Sequence, residues 1–277
     1  MSSELRLRII SAIILAAVIL TATWYGGLIF RVISGILGLL VFFEWTKITK
    51  LADVNPTGHA WGWFALAVIS GNVMFGDPTL DVPLLVGFFL TALIFPPLRG
   101  PNYWLVGGII YAGLTAISLS SIRGDDSTGL GAIIVIFAIV WATDILAYFV
   151  GRAIGGKKLA PSISPGKTWS GAIGGTFFGV LAGVISFYAF FGEISFGIIA
   201  IAFVLSVVSQ IGDLFESYIK RKFGVKDSSN LIPGHGGFMD RVDGLVFACF
   251  AVFLISLIAI IASGDLPGRL GSNIYFG

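Results

Sequence analysis

The sequence predicts an all-α, polytopic integral membrane protein with about nine transmembrane helices and a polar site that faces the cytoplasm. Of its 277 residues, 56% are hydrophobic and 12% are charged, about half the charged share of a typical soluble domain. Mean hydropathy is +0.96. The apolar residues form repeated long runs, as bilayer-spanning helices require. The basic residues fall mainly in alternate connecting segments. Together these observations exclude an ordinary soluble enzyme.

Nine apolar runs predict nine spans in one membrane domain over residues 1–270. The first run continues without a small-residue cleavage pattern into the second, so we interpret it as a retained helix. The N-terminal spans lie in 1–122 and the site-bearing spans in 130–262. Residues 271–277 (GSNIYFG) resemble a remnant of recombinant expression, with a native tail as the alternative. The spans are 9–26, 28–43, 61–75, 84–98, 103–122, 130–150, 169–191, 194–219 and 242–262.

The orientation follows from Lys and Arg, which are retained on the cytoplasmic side. With the N-terminus inside, fourteen of the seventeen basic residues fall in inner segments, and Arg123 and Arg269 fall outside. Arg31, near the outer end of the second span, is expected to snorkel or to pair with a neighbouring helix. A net charge of +2 argues against nucleic acid as the main partner. The single cysteine, Cys249, excludes an intramolecular disulfide and a cysteine-based zinc cluster.

Polar residues enter the predicted helices in three segments, 143–148, 210–222 and 226–243, all on the predicted cytoplasmic side. An ionisable side chain at membrane depth costs roughly 2.5 to 3.5 kcal/mol unless it is compensated, so such positions mark candidate sites. Helical spacing puts four residues of the eighth predicted span on one face: Asp213, Glu216, Ser217 and Lys220. The same spacing puts Asp240 and Asp243 on one face at the start of the ninth.

Acidic and basic side chains alternate in these segments. Carboxylates supply the oxygen ligands that Mg²⁺ prefers, and Mg²⁺ keeps positions open for substrate phosphates. Lysine and arginine neutralise nucleotide and lipid phosphates. The glycines around His235 let backbone N–H groups approach a phosphate. Residues 151–158 are a near miss to a P-loop, but Lys158 stands where Ser or Thr is required and no strand precedes it, so we reject that reading.

At these residues the sequence resembles the CDP-diacylglycerol synthase (phosphatidate cytidylyltransferase) family. The similarity also covers Thr143 to Tyr148 and the stretch Ser164 to Thr168, hence roughly the C-terminal half of the chain. One departure is Ser170, where a carboxylate is expected. The residues that carry the family's C-terminal signature are Ser217, Lys220, Arg221, Lys226, Asp227, His235, Gly236, Gly237, Asp240, Arg241 and Asp243.

The resemblance implies cytidylyl transfer from CTP to phosphatidic acid, giving CDP-diacylglycerol and pyrophosphate, in the inner membrane of a prokaryote. It implies Mg²⁺, with a second cation position that a monovalent ion could fill, and a homodimer. We expect Asp213 and Asp240 to hold Mg²⁺, with Asp144 and Asp243 as further ligands or as groups that orient them. Asp213, Asp240 and Lys226 are the expected catalytic residues. The expected substrate-binding residues are Lys167, Ser217, Lys220, Arg221, His235, Gly236, Gly237 and Arg241.

Several alternatives stay open from the sequence alone. The basic residues at 220–222 could be only a cytoplasmic stop signal, and Asp144 and Asp213 could be structural ion-pair partners. Asp240 and Asp243 could cap a helix, and Glu216 could either support a metal or pair with Lys220. An ion-coupled transporter is a different class of function, but it predicts charges near the bilayer midplane, whereas these cluster at one end. Other membrane phosphotransferases are a further alternative. The core motif of the CDP-alcohol transferases is absent from this sequence, which counts against that class, whereas a polyprenol kinase is harder to exclude.

Overall fold

The protein is described by a computed structural model that covers residues 3–99, 103–232 and 236–263. Those residues form eleven α-helices, one short 3-10 turn and one antiparallel hairpin. The tail at 271–277 lies outside them. The elements are α1 (Ser3–Tyr25), α2 (Gly27–Thr49), α3 (Leu51–Val54), α4 (Pro56–Phe75), the 3-10 turn (Pro78–Leu80), α5 (Asp81–Ile94), α6 (Pro96–Arg99), α7 (Trp104–Arg123), α8 (Ser127–Ile154), β1 (Lys158–Ala160), β2 (Ser164–Thr168), α9 (Trp169–Phe191), α10 (Phe196–Lys222) and α11 (Met239–Ser263).

Every predicted span overlaps a helix, so the all-α prediction is confirmed for the part of the chain that the structure describes. Six of these helices, α2 and α7 to α11, are long and apolar enough to cross a membrane. The chain is therefore a membrane protein with at least these candidate spans. The helices at the first, third and fourth predicted spans are not among the six, so nine crossings stay a prediction.

Several helix boundaries differ by a few residues from those that the apolar runs predict, and two of the differences have a clear structural basis. The second span was expected to end at residue 43, but α2 continues to Thr49 and ends at Lys50, which has a left-handed φ of 51°. The fourth was expected to reach residue 98, but α5 ends at Ile94. Phe95 is extended (φ −86°, ψ 106°) because a residue that precedes proline is disfavoured in the helical conformation.

The residues group into two compact units, and the first comprises Met1–Ser121 and Lys222–Arg241. Its core contains the buried Phe42 and Trp45 of α2, which contact Trp63 of α4 and Tyr111 of α7, respectively. Close helix contact depends on small residues: a Cβ at Gly38 would lie 2.9 Å from the Ala116 Cβ. Arg31 donates from Nε to the Val73 carbonyl and from Nη2 to the Gly76 carbonyl, both at 2.8 Å, so it pairs with the end of a neighbouring helix.

The second unit comprises Ile122–Arg221 and Val242–Gly277. Its main helix contact joins α8 to α9, and the hairpin β1–β2 connects those two helices. One glycine per helical turn faces α8: Gly171, Gly175, Gly179 and Gly183. A Cβ at Gly175 would lie 2.7 Å from the Ala147 Cβ and from the Thr143 carbonyl oxygen. Without side chains on this face, the two helices approach closely enough to pack through backbone contacts, as small residues allow in membranes.

Candidate active site

Three aspartates and one lysine meet in the second unit, and we call them the acidic cluster. Asp144 comes from α8, Asp213 from α10, Asp243 from α11 and Lys167 from β2. The Lys167 ammonium is ion-paired with Asp213 Oδ2, and their side chains are 28% and 31% exposed. Asp144 and Asp243 each interact electrostatically with Asp213 and with Lys167. The structure thus brings together four residues that the sequence predicted for the site, from segments up to a hundred residues apart.

Local packing sets the spacing of these carboxylates. Gly212, next to Asp213, faces α11, where a Cβ would lie 2.7 Å from the Asp243 carbonyl oxygen and from the Phe247 Cβ. The absence of that Cβ lets α10 and α11 approach at the level of their aspartates. On α8, the Thr143 Oγ1 lies 2.7 Å from the Ser206 Oγ of α10. This buried contact fixes α8 against α10 one residue before Asp144.

The hairpin carries Lys167 into the cluster, and its neighbours fix the hairpin to the helices. Thr168 caps α9 by accepting from the Gly171 N–H at 3.1 Å. Ser170, which stands where the family resemblance predicted a carboxylate, donates to the Gly155 carbonyl at 2.5 Å. Ser170 therefore ties the start of α9 to the end of α8. The lysine is placed by a short, well-anchored strand.

The C-terminal end of α10 holds further predicted residues. Ser217 donates to Asp213 Oδ1 at 3.4 Å, a long contact. Lys220 Nζ lies 2.5 Å from Glu216 Oε2, and Glu216 is buried. Of the two roles considered for Glu216, the structure thus supports pairing with Lys220. Arg221 is exposed and its Nε donates to the Ile163 carbonyl at 3.4 Å, which links the helix end to the hairpin turn.

The signature loop, which we define as residues 226–241, belongs to the first unit with the start of α11. Asp240 organises it: Oδ2 accepts from the Ser228 N–H at 3.0 Å, the Ser228 hydroxyl at 2.8 Å and the Gly237 N–H at 2.8 Å. Gly236 has a φ of 87°, a left-handed conformation that favours glycine. Lys226 and Arg241 are exposed. His235 lies outside the described residues.

Sequence reasoning missed one polar residue of this loop's environment, Glu44. Its side chain is buried in α2 and accepts hydrogen bonds from Ser228, Ser229, Phe238 and Met239. The predicted second span ended at residue 43, which placed Glu44 in a connecting segment where an acid needs no explanation. Because α2 continues to Thr49, Glu44 instead lies within a helix long enough to cross the membrane. Had the second span been predicted to reach residue 49, an acidic residue inside it would have marked Glu44 as a candidate functional residue.

The chemistry of the acidic cluster suits a hard divalent cation. Among the residues that the structure describes, no three His, Cys, Asp or Glu side chains are close enough to hold a metal ion by themselves. Mg²⁺ does not need such a cage, because proteins usually hold it with one or two carboxylates while substrate phosphates and water complete its coordination. Asp213, whose side chain is 31% exposed and already faces a cation, is the residue that best fits this pattern.

The apolar helices define an integral membrane protein, with an acidic cluster in its second unit and a hydrogen-bonded signature loop in its first. The comparison with known proteins is more specific. The model of the cytidylyltransferase family matches residues 6–259, so the match covers nearly the whole chain, including the N-terminal half that carries no motif. The chain belongs to this family.

Bacterial relatives support the same assignment. A phosphatidate cytidylyltransferase of Brucella suis is 43% identical over 271 residues, which cover 97% of this chain and 98% of the relative. That of Bacillus subtilis is 32% identical, with 92% of this chain and 98% of the relative covered. That of Haemophilus influenzae is 31% identical, with 88% and 96% covered. The family resemblance inferred from the motifs is therefore confirmed.

Proposed function

We propose that the protein transfers a cytidylyl group from CTP to phosphatidic acid, giving CDP-diacylglycerol and pyrophosphate. The relatives named phosphatidate cytidylyltransferase over nearly their full length support this reaction. Within the chain, the observation that carries the proposal is the acidic cluster, where Lys167 pairs with Asp213 beside Asp144 and Asp243. The carboxylates can bind a metal ion and the lysine can bind a phosphate, and the two proposed substrates require both.

The reaction needs positioning and charge compensation more than covalent chemistry. An oxygen of the lipid phosphate attacks the α-phosphorus of CTP, the bond from that phosphorus to the bridging oxygen breaks, and pyrophosphate leaves with that oxygen. No general base is required, because the attacking phosphate is already ionised near neutral pH. Both reactants are anionic, so the protein must neutralise charge and hold them in line.

Basic residues of the chain would supply that neutralisation. Lys167 can move its ammonium from Asp213 to a phosphate without leaving the cluster. Lys226 and Arg241, exposed in the signature loop, are proposed to bind CTP phosphates or the lipid head group. The further proposed substrate-binding residues are Ser217, Lys220, Arg221, His235, Gly236 and Gly237.

The proposed metal ligands are those predicted from the sequence. Asp213 is the principal one, Asp144 and Asp243 ligate or orient beside it, and the family resemblance adds Asp240. The Oδ2 of Asp240 accepts three hydrogen bonds, and its Oδ1 accepts a longer one from the Ser228 N–H at 3.3 Å, so the loop holds this carboxylate in place. When bound, Mg²⁺ would neutralise the phosphates at the reacting centre, and a second cation position is proposed nearby. The chain's own carboxylates fix where that charge sits.

The proposed location is the cytoplasmic side of a prokaryotic inner membrane. The distribution of Lys and Arg along the chain supports this orientation. CTP is highly charged and cannot cross a bilayer, so a site that uses it must face the compartment in which CTP is present. A homodimer is proposed on the family resemblance alone.

A direct assay tests the proposed function. Purified protein in lipid or detergent is given labelled CTP, phosphatidic acid and Mg²⁺, and both labelled lipid and pyrophosphate are measured. Equal amounts of CDP-diacylglycerol and pyrophosphate are expected. Omission of phosphatidic acid should abolish both products. No turnover with any divalent cation would overturn the proposal, and pyrophosphate without labelled lipid would indicate hydrolysis instead.

A further inference from the structure

Glu44 is a buried carboxylate that the proposed reaction does not use directly. Its side chain has no exposed surface, and it lies in α2, one of the six helices long enough to cross a membrane. A buried ionisable group in such a helix is costly unless polar partners satisfy it. Its presence there therefore needs a reason, and its hydrogen bonds supply one.

Among the described residues, four groups hydrogen-bond to Glu44, and all four belong to the signature loop. The Ser229 hydroxyl donates at 2.5 Å, and the Ser228 hydroxyl, which shares its one proton between Glu44 and Asp240, lies 3.2 Å from Glu44 Oε2. The Phe238 and Met239 N–H groups donate at 2.9 Å and 2.6 Å. One carboxylate of α2 thus fastens both arms of the loop: the arm that follows Lys226 and the arm that leads into Asp240.

The two backbone donors are themselves in need of acceptors. Phe238 and Met239 stand at the start of α11, where the first N–H groups of a helix have no partner within it. A carboxylate at that end satisfies them and interacts favourably with the helix dipole. Glu44 therefore acts as a capping residue that comes from a distant part of the sequence, 195 residues away from Met239.

Gly237 shows how closely the loop is fitted to this carboxylate. A Cβ at position 237 would lie 2.3 Å from Glu44 Oε1 and 2.0 Å from the Ser228 Oγ. Real Cβ contacts are never that short, and both neighbouring groups are buried. Glu44 thus gives a physical reason for a glycine at this position of the signature.

Ser228 connects Glu44 to Asp240. Its Oγ lies 3.2 Å from Glu44 Oε2 and 2.8 Å from Asp240 Oδ2. A displacement of Glu44 would therefore release the serine that holds the Asp240 carboxylate in place. This contact links a residue in α2 to one of the proposed catalytic aspartates through a single side chain.

We propose that Glu44 is a positioning residue for the reaction: its carboxylate fixes the signature loop so that Lys226, Asp240 and Arg241 are held in the geometry that turnover requires. The effect on turnover rests on the proposed function, whereas the ordering of the loop by Glu44 rests on the hydrogen bonds alone. Glu44→Gln keeps the size of the side chain but turns an NH₂ group toward donors, so it removes acceptors without opening a cavity.

The experiment compares full-length wild type with Glu44→Gln by hydrogen exchange and by the cytidylyl-transfer assay. Peptides that cover 226–240 should exchange about tenfold faster in the variant, since several charge-assisted hydrogen bonds are lost. Peptides from 158–168 should be unchanged. Turnover at saturating substrates should fall about tenfold or more. Asp81→Asn is the matched control, because it also converts a buried carboxylate of the first unit to an amide but contacts Asn72 rather than the loop.

A milder variant covers the case in which Glu44→Gln does not fold. Ser229→Ala removes one donor to Glu44, and Ser34→Ala is its control, since Ser34 is a buried serine of α2 that donates to Phe30. Faster exchange limited to 226–240 together with slower turnover supports the positioning role. Three results would overturn the positioning role: unchanged hydrogen exchange in 226–240, equally faster exchange in all peptides, or faster exchange in 226–240 with wild-type turnover. A wild type without turnover contradicts the proposed function only, and the exchange comparison still decides whether Glu44 orders the loop.

Discussion

The Lys167 ammonium of strand β2 is ion-paired with the Asp213 carboxylate of α10, and both side chains keep about a third of their surface exposed. An exposed pair of this kind adds little to stability. Its value lies in position, because it places a mobile positive charge beside three carboxylates. The pair can open toward a phosphate when substrate binds, which makes Lys167 the most informative basic residue to alter.

Lys167→Met should lower kcat/KM of cytidylyl transfer about 10- to 100-fold while the protein stays folded. A charge-assisted hydrogen bond contributes ~1.5–3 kcal/mol, and a loss of this size in the transition state corresponds to such a factor. Lys167→Arg should retain more activity than Lys167→Met. Steady-state kinetics with CTP varied would measure both. The matched control is Lys158→Met on the partner strand, which removes the same charge from the hairpin; if it is as damaging, the effect is not specific to Lys167.

Removal of divalent metal should abolish turnover, and Mg²⁺ should restore it. Asp213→Asn should shift the Mg²⁺ concentration for half-maximal activity upward by about tenfold or more, because an amide oxygen is a weaker ligand for Mg²⁺ than a carboxylate. A chelator followed by Mg²⁺ titration of wild type and variant gives the measurement. Wild-type Mg²⁺ dependence in Asp213→Asn would show that Asp213 is not a ligand.

Gly179→Val should destabilise the second unit. A Cβ at this position would lie 2.1 Å from the Thr143 Oγ1 and 3.1 Å from the Ser206 Oγ, so the helices must separate. Overpacking of this kind costs ~1–3 kcal/mol, and it acts one residue from Asp144, so activity should fall as well. The measurement is the thermal unfolding midpoint in detergent. Gly71→Val in α4 is the control, since a Cβ there meets nothing within 4 Å; equal losses in both variants would contradict the packing argument.

The sequence predicted the helices and most of the acidic cluster because both depend on residue type and local spacing. Apolar runs identify spans, and helical periodicity places Asp213 near Lys220 on one face. The missing features depend on tertiary contacts. The role of Glu44 was not predicted, because the apolar run ends at residue 43 and does not show that α2 continues to Thr49. The ion pair between Lys167 and Asp213 was not predicted, because the hairpin β1–β2 that carries Lys167 has strands of only three and five residues, too short for a clear sequence pattern.

The last prediction concerns pH and Asp81, the first residue of α5, which lies outside the six candidate spans. Burial raises the pKa of Asp81 from 3.8 to about 6, and the charge of Asp77 adds to the increase, while the Asn72 hydrogen bond and the charge of Arg31 oppose it. The folded state therefore holds the proton at pH values where the unfolded chain has released it. Stability should fall as pH rises from about 4 to about 6 and should change little through this group above that range.

Asp81→Asn should remove this part of the pH dependence, because the amide stays neutral and its oxygen can still accept from Asn72. Thermal unfolding midpoints of wild type and variant, measured between pH 4 and pH 8, should diverge as pH rises, with the variant the more stable at neutral pH. The slope for one such proton cannot exceed ~1.4 kcal/mol per pH unit. Parallel curves would mean that Asp81 ionises at its ordinary value despite its burial. Asp77→Asn is the control, because hydrogen bonds from Thr79 lower the pKa of the Asp77 carboxyl. Loss of that carboxylate should lower stability at neutral pH, whereas Asp81→Asn should raise it.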